Sequence, residues 1–159
     1  MEIKIRKAEI QDMNSVLDCI KELAVFEKEE NAVEVTVKDL QKDGFGKSPL
    51  FECFVAEVDK SIVGIALFYY RYSTWKGKTI HLEDLIVKEA FRSNGIGKLL
   101  YNAVMEYAQT LELRRVEWNV LDWNIPAVKF YKSTGAKVLE DWKVVQMDAE
   151  NLKRYLEIK

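Results

Sequence analysis

Arg92, Ser93, Asn94, Gly95, Ile96 and Gly97 stand between an apolar, β-branched run (Ile80, Leu82, Leu85, Ile86, Val87) and a strongly periodic amphipathic segment. A strand, a tight glycine turn and a helix start in that order leave unpaired backbone N–H groups at a helix N-terminus. The macrodipole adds about half a positive charge there, so the turn suits a phosphate or pyrophosphate. Two familiar phosphate loops do not fit. The P-loop requires Gly five residues before its Gly-Lys-[Ser/Thr], but Arg92 precedes Gly97-Lys98 and Leu99 follows it. The dinucleotide fingerprint needs a third glycine where Leu100 stands. A glycine turn serving chain topology alone would use the same residues, so the surrounding chain decides.

The chain has 159 residues, 48% hydrophobic and 31% charged, with a net charge of −2. That length suits one domain, residues 1–159, with a core large enough to accommodate a ligand cleft. The charge balance argues against nucleic acid as a partner. No apolar run approaches the roughly 18–20 residues of a membrane span, and the first residues alternate rather than forming a signal-peptide core. A cytoplasmic protein with no membrane partner is expected. Cys19 and Cys53 lie in apolar runs without metal-ligand spacing, and His81 is the one histidine. The expectation is therefore buried free thiols and no metal site.

The elements that must position the turn follow from periodicity. Ile3 and Ile5 alternate with Lys4 and Arg6 as a first strand, and Met13, Val16, Leu17, Ile20, Leu23 and Ala24 take helical spacing after Asp12. Phe26 opens an acidic stretch with Glu27, Glu29, Glu30 and Glu34, which serves either as a solvated charge run or as a cleft wall attracting a cation. Thr36 and Asp39 form a capping-box variant opening a second short helix that closes at Gly44. Runs 51–58 and 62–72 read as a hairpin, followed by the strand that feeds the glycine turn and by the long helix. Val116, Trp118 and Val120 alternate as a fifth strand, Pro126 opens a helix ending near Gly135, and strands are expected at 138–139 and 142–147 before a short amphipathic tail. The order implies a mostly antiparallel sheet flanked by helices.

Arg-x-x-Gly-x-Gly between strand and helix resembles the acetyl-CoA-binding signature of the GNAT acetyltransferases. Further segments extend the likeness over roughly residues 3–147: Leu23-Ala24 with Phe26-Glu27, Lys38-Asp39-Leu40, Tyr72-Ser73-Thr74-Trp75-Lys76-Gly77, Leu82-Glu83-Asp84-Leu85, and Val120-Leu121-Asp122-Trp123-Asn124 with Phe130-Tyr131 and Gly135-Ala136. Together these resemble the diamine acetyltransferase group, the spermidine/spermine and thialysine N-acetyltransferases.

The resemblance implies a mixed α/β (α+β) GNAT fold. Its single twisted, mostly antiparallel sheet would have about six or seven strands, helices on both faces and a cofactor cleft between central strands. It implies acetyl-CoA as co-substrate, held by Leu85, Ile86 and Val87, by Arg92, Ser93, Asn94, Gly95, Ile96, Gly97 and Lys98, and by Asn124, Ile125, Pro126 and Ala127. Tyr131 matches the general acid for the departing thiolate. Glu83 matches the carboxylate that takes the amine proton, and Phe26, Glu27 and Glu83 match substrate-binding positions. A homodimer is also implied.

Four departures from the pattern bear on geometry and substrate. Ser93 replaces a usual glycine, His81 a usual tyrosine, and Phe26 a position that can be tyrosine. The loop before Trp142 is shorter by about three residues than in spermine-acetylating members and lacks part of their acidic rim.

The chemistry is coherent. A primary amine of unperturbed pKa near 10.4 is neutral in only about one molecule in two thousand at pH 7, equivalent to roughly 4–5 kcal/mol of barrier. Glu83 can remove that proton through water, and Tyr131 can supply one to the thiolate. An interfacial core tyrosine is the alternative reading of Tyr131. A backbone N–H near Leu85 suits the developing oxyanion. Successive residues of a regular strand face opposite ways, which would separate Asp84 from Glu83 and put His81 beside Glu83. Imidazole there is a second candidate base, but a single strand histidine is more often packed, so His81 stays outside the catalytic set.

The expected reaction is direct attack of a small cationic amine (diamine, polyamine or lysine analogue such as thialysine) on acetyl-CoA. The alternatives are acetylation of a protein or peptide amine, and a non-catalytic acyl-CoA-binding module.

Overall fold

A computed structural model describes residues 2–158. The chain divides into two compact units, one reaching to Asn119 and one starting at Val120.

The first unit is a five-stranded sheet in the order β1 (Lys4–Lys7), β2 (Glu52–Val58), β3 (Ser61–Ser73), β4 (Gly77–Val87) and β5 (Val116–Glu117). Neighbours are antiparallel except β4 and β5, which run parallel. Helices α1 (Met13–Phe26), α2 (Val37–Phe45) and α3 (Ile96–Thr110) complete the unit. The Thr36 hydroxyl accepts from the Asp39 N–H while the Asp39 carboxylate accepts from the Thr36 N–H, so the expected capping box starts α2, which runs one residue past Gly44.

Side-chain alternation along β3 sends Ile65 and Leu67 into one core and Ala66 and Phe68 into another. The first core packs against Met13, Val16, Leu17 and Cys19 of α1 and Leu40 of α2, the second against Ile96, Leu100, Val104 and Ala108 of α3. The sheet thus carries helices on both faces, as expected. Cys19 and Cys53 are buried free thiols; burial pushes the Cys19 pKa up to about 11 and that of Cys53 higher still. A Cβ at Gly64 would lie 2.8 Å from the Ile86 carbonyl oxygen and 3.1 Å from Leu100, so glycine is what lets β3 meet β4 and α3 there.

Two features depart from expectation. Pairing of β5 stops at Ile80–Val116 and His81–Glu117, two residues instead of five. Beyond His81, β4 continues to Val87 with no strand on its β5 side among the described residues.

The second unit holds α4 (Ile125–Ser133) and α5 (Ala149–Glu157). No strand forms at 138–139 or 142–147, so the sheet has five strands among the described residues instead of about six or seven. Alternating side chains describe a segment able to pair, whereas a strand also needs an edge to pair with. Val144 and Val145 are both exposed, as a segment without a ladder would be.

Candidate active site

The decisive local event lies in the middle of β4. Leu67 of β3 pairs with Asp84, and Phe68 pairs with Leu82, which leaves Glu83 as an extra residue in a β-bulge. His81 pairs with Tyr69, and Asp84 with Leu67 of the α1-side core. Cross-strand partners share a face, so the bulge resets the alternation. His81, Glu83 and Asp84 all come to the α1 side, whereas a regular strand would have turned Asp84 away from Glu83.

Charge accumulates there. Burial first, then Glu83 and Glu27, pushes the Asp84 carboxyl up to about 7. Burial, Glu29 and Glu83 likewise raise Glu27, the residue that caps the C-terminus of α1. Three carboxylates thus converge, which favours a cationic ligand.

Glu83 is half exposed, and its Oε2 lies 3.5 Å from Nε2 of the buried His81. The Tyr69 hydroxyl donates a hydrogen bond to Glu83, and the Tyr69 ring lies over His81 at 5.2 Å between centroids. On the other side of the imidazole, Nδ1 is 3.9 Å from Oε1 of Glu117. Glu117 is itself ion-paired with Arg71 and, at 2.9 Å, with Arg115.

The glycine turn follows β4 directly. The Arg92 Nε donates to the Val87 carbonyl at 3.0 Å, and its guanidinium lies 5.3 Å from the Phe26 ring centroid and 3.8 Å from Glu22. Glu22 also accepts from the Glu89 N–H at 2.6 Å. Arg92 therefore ties the turn to α1 and to Phe26, the last residue of that helix. Asn94 closes the turn by donating to the carbonyls of Phe91 and Arg92.

Ser93 and Gly95 adopt left-handed backbone, φ 64° and 77°. A Cβ at Gly95 would meet nothing within 4 Å, so conformation and not crowding favours glycine there. Helix α3 begins at Ile96 with no side-chain cap, leaving the first-turn amides of Ile96, Gly97 and Lys98 to an outside acceptor. Leu85, Ile86 and Val87 form the last part of β4, where no strand continues on the β5 side among the described residues. An uncapped helix terminus and left-handed turn residues beside the end of β4 together suit a pyrophosphate-bearing ligand.

In the second unit, Asn124 caps α4 by accepting from the Ala127 N–H at 3.4 Å, with Ile125, Pro126 and Ala127 forming the first turn. Tyr131 lies about two turns along the helix, half-buried beside Phe130, with ring centroids 5.5 Å apart.

Tyr69, Asp84 and Glu117 were not assigned to the site from the sequence. Tyr69 lay within a conspicuous aromatic cluster and Glu117 within an alternating strand. Only the register of β3 and β5 against β4 selects them.

With this geometry in view, residues 16–136 match the model of the acetyltransferase (GNAT) family. The thialysine N-epsilon-acetyltransferase of Bos taurus is 36% identical over 95% of this chain and 95% of its own length. The spermidine/spermine N(1)-acetyltransferase-like protein 1 of Homo sapiens is 37% identical over 94% of this chain and 23% of its own length. Among solved structures, the integron cassette protein VCH_CASS6 from the mobile metagenome of V. cholerae superposes with a TM-score of 0.80 at 21% identity, covering 99% of both chains. The strand, glycine turn and helix, the open edge of β4 and these likenesses agree: the chain belongs to the acetyltransferase (GNAT) family.

Proposed function

We propose that this protein transfers an acetyl group from acetyl-CoA to a primary amine of a small cationic substrate, a diamine, polyamine or lysine analogue such as thialysine, by direct attack in a ternary complex. The observation that carries the substrate class is the convergence of Glu27, Glu83 and Asp84 at the β4 bulge, immediately upstream of the turn that suits a pyrophosphate. The Bos taurus relative is by name a thialysine N-epsilon-acetyltransferase, which supports an amine of this kind.

In this reading Glu83, held by Tyr69, takes the ammonium proton directly or through water, leaving the nitrogen lone pair free to attack. Glu27 and Phe26 flank the amine. Amides of Ser93 to Lys98 would hold the pyrophosphate, with Arg92 securing the turn and Leu85, Ile86 and Val87 beside it. Acetyl-CoA, when bound, supplies the acetyl group as a thioester. The family resemblance adds Asn124, Ile125, Pro126 and Ala127 as cofactor contacts and Tyr131 as the residue that would protonate the sulfur, and a Leu85 N–H would donate to the acyl oxygen.

The family match runs from α1 in the first unit past α4 in the second, which supports one N-acetyltransferase domain for the whole chain. Two free thiols suit a reducing, cytoplasmic compartment. The exposed apolar residues Trp142, Val144, Val145 and Met147 offer a surface for the homodimer that the resemblance implies; light scattering tests it.

The test of function is thiol release from acetyl-CoA with putrescine, spermidine, lysine and S-aminoethylcysteine side by side. Turnover with at least one is expected. Acetyl-CoA binding without turnover on any small amine rejects the reading.

A further inference from the structure

Between Glu83 and Glu117 the buried imidazole of His81 presents one nitrogen to each carboxylate, Nε2 to Glu83 at 3.5 Å and Nδ1 to Glu117 at 3.9 Å. The side chain is 8% exposed, and Nδ1 has no hydrogen-bond partner among the described residues. A buried imidazole nitrogen facing only carboxylate oxygen is best satisfied as N–H. Arg71 and Arg115 hold Glu117 in place on β5, at the position paired in register with His81. With the proton of the neutral ring assigned to Nδ1, toward the fixed Glu117, Nε2 is left as an acceptor facing Glu83.

We propose that His81 is a positioning and proton-accepting partner of Glu83, oriented by Glu117, so that the proton Glu83 removes from the substrate ammonium passes on to Nε2. The inference rests on the amine acetylation proposed above. The substrate N–H bond breaks, its electron pair stays on nitrogen, and an O–H bond forms on Glu83. That O–H bond then breaks as Nε2–H forms. The imidazolium stands between two carboxylates, and Glu83 is ionised again beside Asp84 and Glu27, where it keeps attracting the remaining positive charge of a diamine. The half-exposed Glu83 returns the proton to water after the product leaves. The Tyr69 ring covers the imidazole face and its hydroxyl holds Glu83, which keeps the two groups adjacent.

The groups that bear on His81 are Tyr69 and Arg71 on β3, Glu83 and Asp84 on β4, Arg115 and Glu117 at β5, and Glu27 after α1. Burial and its carboxylate neighbours push Asp84 up to about 7, so the experiment compares His81→Gln with Asp84→Asn and Glu117→Gln. In wild type, kcat/KM for the best amine should fall on the acid side of neutrality. Asp84→Asn should keep that limb and His81→Gln should lose it. His81→Gln should lower kcat roughly 10- to 100-fold, at or below the low end of acid–base contributions, with the KM for acetyl-CoA within about twofold. Glu117→Gln should lower it less.

Nitrogen-15 imidazole spectra of wild type should report the Nδ1–H tautomer, shifting toward Nε2–H in Glu117→Gln. This readout stands even if His81→Gln folds poorly. A kcat unchanged within about twofold in a folded His81→Gln, an acid limb that survives it, or an Nε2–H tautomer in wild type overturns the relay. A wild-type protein that acetylates no amine overturns the proposed function, and with it the purpose of the relay. Turnover in wild type with no effect of His81→Gln overturns the relay alone.

Discussion

Two groups of carboxylates on one sheet have opposite fates. Beside β1 and β2, Asp12, just before α1, accepts from Arg6 at 2.6 and 3.1 Å, and Glu52 accepts from Lys7, Tyr70 and Tyr107 at 2.6 to 2.9 Å. The Arg6 hydrogen bond holds Asp12 below the usual carboxylate range, and Lys7 with the two tyrosines lowers Glu52 against the cost of burial. At β4, Asp84 is raised by burial, Glu83 and Glu27, and Glu27, at the end of α1, is raised by burial, Glu29 and Glu83. Carboxylates with a cationic partner tie neighbouring segments together; those crowded by other carboxylates favour a cationic ligand. Leaving like charges together is destabilising, and it persists at the bulge, where a ligand can offset it.

The largest test of that contrast is activity. Glu83→Gln should lower kcat by about 10²- to 10⁴-fold while folding normally. Glu52→Gln should leave kcat near wild type and lower stability by about 1–2 kcal/mol, since it weakens only a structural network. A large loss of kcat in Glu52→Gln, measured on the same amine, would break the distinction.

Stability against pH separates the regions next. Asp84 is raised, so the unfolded chain ionises first and stability falls as pH climbs from about 4 to about 7. Asp84→Asn should flatten that slope and, after allowance for partial solvent screening, raise stability at pH 8 by about 1–3 kcal/mol in urea titrations. Asp12 is lowered, so its contribution is present above about pH 4 and disappears as pH falls through its native pKa. Asp12→Asn should cost about 2 kcal/mol at pH 7, leaving Arg6 with Glu57 alone.

The smallest effect concerns the turn. Ser93 holds φ 64° where glycine is unstrained, so Ser93→Gly should stabilise by about 0.5–1 kcal/mol, measured by thermal melting. No gain would mean that contacts made by the serine offset its backbone cost.

What the chain determined by itself is local. Helix starts at Thr36 and Asn124, the glycine turn before α3 and the apolar faces of α1 and α3 depend on residues within about one or two turns of each other, so spacing alone exposes them. Glu83 was legible only as a match to the family motif, within Leu82-Glu83-Asp84-Leu85 beside that turn. The relation of Glu83 to its neighbours was not. Strand alternation assigns Asp84 to the opposite face, and only pairing of β3 against β4 inserts the bulge that returns it. Likewise Glu117 lies 36 positions from His81 in sequence yet pairs with it across β5. Residues 142–147 have a strand's composition without a strand's partner. Register and edge availability are set by contacts between distant segments, and a period of two along one strand carries no information about the strand it will meet.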